Sequence, residues 1–150
     1  MIAVVQRVSE ASVSIEGKIN GQIGQGLLIL LGIGEGDGQE DIEWLVGKLV
    51  NLRIFSDKDD KMNLSCKDVA GGYLVISQFT LHASTKKGNR PSFIQAARPE
   101  VAIPLYQQFV DRLEAEAGRP IATGQFGADM KVSLVNDGPV TIHIDTQNKK

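Results

Sequence analysis

The alternation of apolar and polar residues along the chain predicts a sheet that two helices interrupt. Residues 2–15 are rich in Val and Ile and partly alternate with Ser and Glu, as strands do, and Asn20-Gly21 follows as a turn signal. Residues 26–34 form an apolar run bounded by glycines and too short for a helix, which indicates a strand buried on both faces. Further strands are predicted at Tyr73–Leu81, Met130–Val135 and Val140–Asp145, the last two joined by a turn over 136–139.

Two segments show the spacing of amphipathic helices. The first is predicted over about 38–51, where Asp37, followed three residues later by an acid, gives a start signal before apolar residues at i, i+3, i+4 and i+7. The second is predicted over about 100–117, with Gly118 after its end. Pro104 interrupts this second pattern and is expected to mark a first turn or a kink.

Strands outnumber helices and do not alternate with them as in βαβ units. We therefore expect an α+β fold, a single compact β-rich domain over 1–150 with a mixed or antiparallel sheet curled toward a barrel and two main helices. The 150 residues are 42% hydrophobic and 23% charged, which fits one domain with a self-supporting core. No linker or repeat divides the chain.

Charge gives a mixed indication about nucleic acid. The formal net charge of −2 argues against a broad grip on phosphates. A local patch without acids is still compatible with holding a few phosphates, and a solvated loop explains it equally well. The patch consists of Lys86, Lys87, Arg90 and Arg98.

Cysteine content and hydropathy suggest a compartment. Cys66 is the single cysteine and cannot form an internal disulfide, and no signal peptide is evident, so we expect a reducing, cytoplasmic location. Cys66 is expected to be unreactive. The longest apolar run, Leu27–Leu31, is too short to cross a membrane.

The common catalytic motifs are missing from the sequence. There is no GxSxG, HExxH, CxxC or Walker loop, and the glycine-rich residues 32–38 are expected to form a turn. His82 and His143 are isolated and are expected to be surface or partly buried histidines. With so few potential ligands, neither a metal site nor a cofactor is expected.

Two polar segments stand out instead. In SQFTL (77–81), Ser77 and Thr80 are possible nucleophiles and the backbone amides a possible oxyanion hole, although polarity alone does not establish a site. In NDGPVT (136–141), a plain turn is the simple interpretation and a cis Gly-Pro bond the alternative.

Taken together and in order, four stretches of the chain resemble the D-aminoacyl-tRNA deacylase family. They are MIAVVQRVSEASV at the start, LVISQFTL at 74–81, GNRPSF at 88–93 and TGQFGADMKVSLVNDGPVTIHID at 123–145. Each short motif is weak alone, but the resemblance covers essentially the whole chain and shows no departure in either polar segment.

The resemblance implies a β-rich fold that forms a homodimer, with each site completed by the partner chain. It places four residues in the ester pocket: Ser77, Gln78, Phe79 and Thr80. The backbone amides near Phe79 and Thr80 would face the ester carbonyl.

The remaining site residues also follow from the resemblance. Gly138-Pro139 would be the family's Gly-cisPro pair, inserted from the other subunit to exclude an L side chain, with Arg7 holding it in place. Phe126 and Met130 would border the terminal adenosine.

The implied function is hydrolysis of D-aminoacyl-tRNA at its 3′ end, a chiral proofreading reaction that would also accept glycyl-tRNA. The 2′-hydroxyl of the tRNA would assist the attacking water, so no side-chain base is required. Two alternatives stay open: an acyl hydrolase with Thr80 or Ser77 as nucleophile, and a non-catalytic module that binds RNA ends.

Overall fold

The computed structural model describes all 150 residues and contains eight strands, two α-helices and one 3₁₀ helix. Six strands form one mixed sheet: β1 (Ile2–Ile15), β2 (Lys18–Ile23), β3 (Gly26–Gly32), β6 (Gly72–Ser77), β7 (Ala122–Thr123) and β8 (Lys131–Asp145). The other elements are β4 (Phe55–Ser56) paired with β5 (Met62–Leu64), helices α1 (Gln39–Asn51) and α2 (Pro99–Ala117), and a 3₁₀ helix (Phe79–His82).

Strand β1 is the centre of the sheet. Along one edge it pairs antiparallel with β8, and along the other with β3 and then β2. Strand β3 pairs in parallel with β6, and β6 with β7. The sheet then curves back on itself and brings its edge strands β2 and β7 together. The Asn20 side chain of β2 donates a hydrogen bond of 2.8 Å to the Thr123 carbonyl of β7. The predicted α+β fold with a sheet curled toward a barrel is thereby confirmed.

Apolar side chains fill both faces of the central strands. One core cluster lies between the sheet and the two helices, with Leu45 of α1 and Phe109 of α2 fully buried in it. A smaller cluster lies inside the curved sheet. Leu27 and Ile29 belong to the first cluster and Leu28 to the second, so the apolar run of β3 is buried on both faces, as predicted.

The first turn lies elsewhere than predicted. Glu16 and Gly17 make it, with φ angles of 51° and 77°, which is the left-handed conformation that two-residue hairpin turns require. Asn20-Gly21 instead lies within β2. Gly21 is placed there by packing, since a Cβ at this position would lie 2.9 Å from the Thr123 carbonyl oxygen.

The helices agree with the prediction except at one cap. Gly38, not Asp37, is the N-cap of α1, and the Asp41 carboxylate accepts its N–H at 2.9 Å. The Asp37 carboxylate accepts a hydrogen bond from the Met1 ammonium at 2.7 Å, a long-range contact that local spacing does not reveal. Helix α2 ends as predicted at Gly118 (φ 70°), and Pro104 lies inside it rather than in its first turn.

Two other strand predictions were wrong. Strand β6 ends at Ser77, and residues 79–82 form the 3₁₀ helix, because β3 ends at Gly32 and leaves this segment without a pairing partner. At the other end of the chain, β8 is one continuous strand rather than two joined by a turn. No helix of the protein is both long enough and apolar enough to span a membrane.

Candidate functional site

The end of β6 holds the SQFTL segment in a fixed place. Ser77 is opposite Leu31 in the parallel ladder, and the Gln78 N–H donates to the Leu31 carbonyl at 2.8 Å. The Gln78 side-chain amide then donates to the Thr80 hydroxyl at 2.5 Å. The chain therefore leaves the sheet at Gln78 with both its backbone and its side chain engaged.

The 3₁₀ helix leaves two backbone donors free. Its bonds run from the Leu81 N–H to the Gln78 carbonyl and from the Ala83 N–H to the Thr80 carbonyl. The N–H groups of Phe79 and Thr80 come before the first of these bonds, so the helix itself gives them no acceptor. Two adjacent free amides are the arrangement that can bind a developing oxyanion.

A cavity of about 270 Å³ includes Phe79, the first of these two residues, in its lining. Ser77, Gln78 and Phe79 line one side and Phe126 and Met130 another. The structure thus brings together five of the nine residues predicted for the site. Thr80 is exposed and does not line the cavity. Asp129 is the one ionisable residue in the lining, and sequence analysis did not single it out.

Aromatic contacts hold two walls of the cavity. Phe79 is 55% exposed, and its ring meets that of Phe93 edge to face at 5.1 Å. Phe126 meets Tyr106 in the same manner at 5.7 Å, and the Tyr106 hydroxyl donates to the Val75 carbonyl at 3.2 Å. Such aromatic pairs contribute about 0.5–1.5 kcal/mol beyond the area they bury. Phe93 lies in the GNRPSF stretch, and its contact with Phe79 was not predicted from the sequence.

The NDGPVT segment forms a bulge in β8. From Gln6 to Val8, strand β1 advances by two residues. The residues of β8 that pair with them, Thr141 and Asn136, are five positions apart. Residues 137–140 are consequently displaced from the ladder. The Gly138-Pro139 peptide bond within this bulge is cis.

Arg7 and Asn136 hold the bulge from both sides. The Arg7 guanidinium, 12% exposed, donates to the carbonyls of Asp137 at 3.0 Å and Ile54 at 2.7 Å. The Asn136 side-chain amide donates to the carbonyls of Arg7 and Val140, both at 3.0 Å. Arg7 thus bonds to Asp137, the residue that precedes Gly138-Pro139, and Asn136 is a second residue holding the bulge that the sequence analysis did not identify.

Within one chain the bulge and the cavity are far apart. Ser77 is level with Leu31 and hence with Ala3, four residues along β1 from Arg7. This corresponds to about 13 Å along the strands, and three strand spacings add about 14 Å across the sheet. Neither Arg7 nor the bulge lines the cavity.

His82 closes the 3₁₀ helix against the glycine-rich turn. A Cβ on Gly34 would lie 2.7 Å from His82 Cε1, and one on Gly32 would lie 3.1 Å from its Cδ2. The ring is thus in close contact with bare backbone, and its Nε2 is buried without a hydrogen-bond partner. His82 is partly buried, as expected, and its imidazole is packed rather than directed to the cavity.

Cys66 lies outside the site. It is completely buried, and its Sγ contacts the Gly72 carbonyl at 3.5 Å. Burial raises the pKa of the thiol to about 11, so the nucleophilic thiolate is scarce at neutral pH. This agrees with the prediction that Cys66 is unreactive.

Comparison with known proteins gives one consistent family. The model of the D-Tyr-tRNA(Tyr) deacylase family matches residues 4–145. Proteins named D-aminoacyl-tRNA deacylase from Flavobacterium psychrophilum and Bacteroides thetaiotaomicron are each 63% identical over 150 residues, which is 100% of both chains.

Solved structures agree with this fold. A structure of the c-Myc DNA unwinding element binding protein superimposes with a TM-score of 0.93 at 43% identity, covering 97% of this chain and 99% of that one. A probable eukaryotic D-amino acid tRNA deacylase superimposes with a TM-score of 0.81 at 17% identity, covering 95% of this chain and 97% of that one. At that identity the second likeness shows the fold alone.

Proposed function

The chain belongs to the D-Tyr-tRNA(Tyr) deacylase family, and from this premise we propose that it hydrolyses the ester bond of D-aminoacyl-tRNA. The products are a free D-amino acid and tRNA. The observation that carries the proposal is the cavity in which Ser77, Gln78 and Phe79 face Phe126 and Met130, at the start of a 3₁₀ helix whose first amides have no acceptor within the helix. A tRNA substrate also fits the predicted cytoplasmic location.

In the proposed reaction, the amides of Phe79 and Thr80 bind the ester carbonyl oxygen. A water molecule adds to the carbonyl carbon, the bond to the ribose oxygen breaks, and that oxygen leaves with a proton as a tRNA hydroxyl. One oxyanion donor contributes about 10² to 10³ in rate, and positioning the water adds more. Because an aminoacyl ester is already reactive, two donors suffice without a triad.

The proton relay does not need a side-chain base. No histidine lines the cavity, and the Thr80 hydroxyl already accepts the Gln78 amide at 2.5 Å. We assign assistance of the water to the 2′-hydroxyl of the substrate's own adenosine, which Phe126 and Met130 would border. Thr80 then lines the approach to the ester and forms no covalent bond.

Chiral selection is assigned to the bulge at Gly138-Pro139 of a second copy of the chain. Within one chain this bulge is too far from Ser77 to act on the same substrate, so the proposal requires a homodimer. Arg7 holds the Asp137 carbonyl and Asn136 holds the Val140 carbonyl, on either side of Gly138-Pro139, and a rigid backbone wall rejects an L side chain by direct overlap. Glycine has no side chain to reject, so glycyl-tRNA is also a substrate.

Exposed apolar side chains support the homodimer. Leu134 and Val135 lie on β8 close to the bulge and are 37% and 49% exposed. At the cavity, Phe79 is 55% exposed, and Ile94, which follows Phe93 in the chain, is 84% exposed. Apolar surface at both segments that are expected to meet favours burial against a second copy. Analytical ultracentrifugation that found only monomer under conditions of full activity would refute this assignment.

The direct test compares two esters. Purified protein is incubated with D-Tyr-tRNA and with L-Tyr-tRNA, and free tyrosine is measured against a buffer control. We expect rapid loss of the D-ester alone. Loss of the D-ester no faster than in buffer would instead favour a module that binds nucleic acid without catalysis. The 43% identical structure is named as a DNA unwinding element binding protein.

A second experiment separates water attack from a Thr80 nucleophile. Thr80→Ser keeps the hydroxyl and Thr80→Ala removes it, while both keep the backbone amide. Under the proposed mechanism both variants retain D-Tyr-tRNA hydrolysis within about tenfold of wild type, because both keep the oxyanion donors. Loss of one such donor would instead lower the rate by about 10² or more. Loss of activity in the alanine variant, with a trapped acyl adduct on wild-type protein, would establish the nucleophile.

A further inference from the structure

The loop between the 3₁₀ helix and α2 carries a concentration of positive charge. Residues 84–92 form a closed loop, since the N–H groups of Ser84 and Ser92 each donate to the other's carbonyl, at 2.8 and 2.9 Å. Three exposed cations lie inside this loop: Lys86, Lys87 and Arg90. We call residues 84–92 the basic loop.

The sequence on both sides of the basic loop contains no acid. From 69 to 99 the chain has no Asp or Glu, although the whole protein carries 18 acids against 16 bases. None of the three loop cations takes part in a salt bridge. Unpaired cations on an otherwise acidic protein form a local attractive field for an anion.

The basic loop is directly connected to the cavity. Phe93 follows its closing residue and meets the Phe79 ring at 5.1 Å. The same stretch returns to the glycine-rich turn, where the Ala97 N–H donates to the Ile33 carbonyl at 2.9 Å. Ile33 and Ala97 both line the cavity, so the segment that follows the basic loop forms part of the cavity wall.

We propose that the basic loop binds the backbone phosphates of the tRNA strand whose 3′ end occupies the adjoining cavity. This inference rests on the proposed function and adds the part of the substrate that is remote from the ester. Lysine and arginine on such a loop bind phosphates without reading sequence. The contact therefore increases affinity for any acceptor end and leaves the chemistry at the ester unchanged.

The test replaces Lys86, Lys87 and Arg90 together by Gln. A matched control replaces three exposed lysines elsewhere by Gln, so that the net charge changes equally: Lys18, Lys58 and Lys61. Hydrolysis is measured on D-Tyr-tRNA and on D-tyrosyl-adenosine, which has the same ester but no phosphate. Binding of uncharged tRNA is measured separately as a function of salt.

For the loop variant we expect KM for D-Tyr-tRNA to rise about tenfold or more, with kcat unchanged and D-tyrosyl-adenosine hydrolysed as by wild type. The slope of log affinity for uncharged tRNA against log salt should decrease by roughly 2 to 3, at about 0.7 to 0.9 for each lost phosphate contact. The control variant should keep the wild-type slope and KM.

Three results would overturn the proposal. One is tRNA binding by the loop variant that equals wild type. Another is an equal loss in both variants, which would assign the effect to net charge. The third is an equal loss on both substrates, which would mean that the loop shapes the cavity. If wild type hydrolyses neither ester, the proposed function fails, while binding of uncharged tRNA still decides the role of the loop.

Discussion

Replacing Gly34 by Ala tests whether His82 positions the 3₁₀ helix that carries the proposed oxyanion donors. The new Cβ would lie 2.7 Å from His82 Cε1 and 3.2 Å from each ring nitrogen. Non-bonded carbon atoms are normally about 3.5–4.0 Å apart, so the ring must move by about 1 Å. His82 is the last residue of the helix that begins at Phe79, so the displacement reaches the free amides.

The magnitude of the effect follows from this overlap. Forcing an extra methyl group into a packed site costs about 1–3 kcal/mol of the free energy of unfolding. A misplacement of about 1 Å at the reacting groups lowers the rate by up to about 10²-fold. His82→Ala removes the clashing ring, so in the double variant the two changes should couple favourably by at least about 1 kcal/mol.

The assay combines urea unfolding with kcat and KM for D-Tyr-tRNA, measured on both single variants and the double variant. Gly47→Ala is the matched control, because Gly47 is in α1 with no atom within 4 Å of a new Cβ, and it should leave activity unchanged. If His82 only supported the fold, Gly34→Ala would lower the free energy of unfolding without lowering kcat. Additive stability losses in the double variant would show that Gly34 and His82 do not constrain each other, and would refute the reasoning.

Three further predictions concern the bulge and the core. Arg7→Lys should lower the free energy of unfolding by about 1.5–3 kcal/mol, because one ammonium cannot replace both guanidinium hydrogen bonds, and it should lower the ratio of D-Tyr-tRNA to L-Tyr-tRNA hydrolysis. Asn136→Asp should also lower the free energy of unfolding and the ratio of D-Tyr-tRNA to L-Tyr-tRNA hydrolysis, because a carboxylate acceptor then faces two carbonyl acceptors. An unchanged ratio would show that the bulge does not determine selectivity. The third prediction concerns pH. Burial raises the pKa of the Cys66 thiol from 9.0 to about 11, so its contribution to stability is complete below pH 9 and is lost as pH rises toward 11. Wild type should therefore lose about 1–1.5 kcal/mol more than Cys66→Ala between pH 8 and pH 10 in urea unfolding. Equal losses would contradict this.

Several features of the molecule depend mainly on local chemistry and could be predicted from the sequence. The buried strand β3 follows from its continuous apolar run, and α2 ends at Gly118 because glycine readily adopts the left-handed φ of 70° found there. The SQFTL and NDGPVT segments were recognisable as unusual because each places polar or conformationally restricted residues where a strand would be apolar.

Tertiary structure decided where those segments lie and what they do. Residues 79–82 leave the strand conformation because β3 ends and no neighbour is left to pair with them, and NDGPVT is a bulge because β1 continues to pair on both sides of it. Asn136 and Phe93 gain their places through contacts with Arg7 and Phe79, residues that are distant in sequence. Local pattern therefore determined most of the elements, whereas long-range pairing determined the site, because a hydrogen-bond ladder is a property of two strands and not of one.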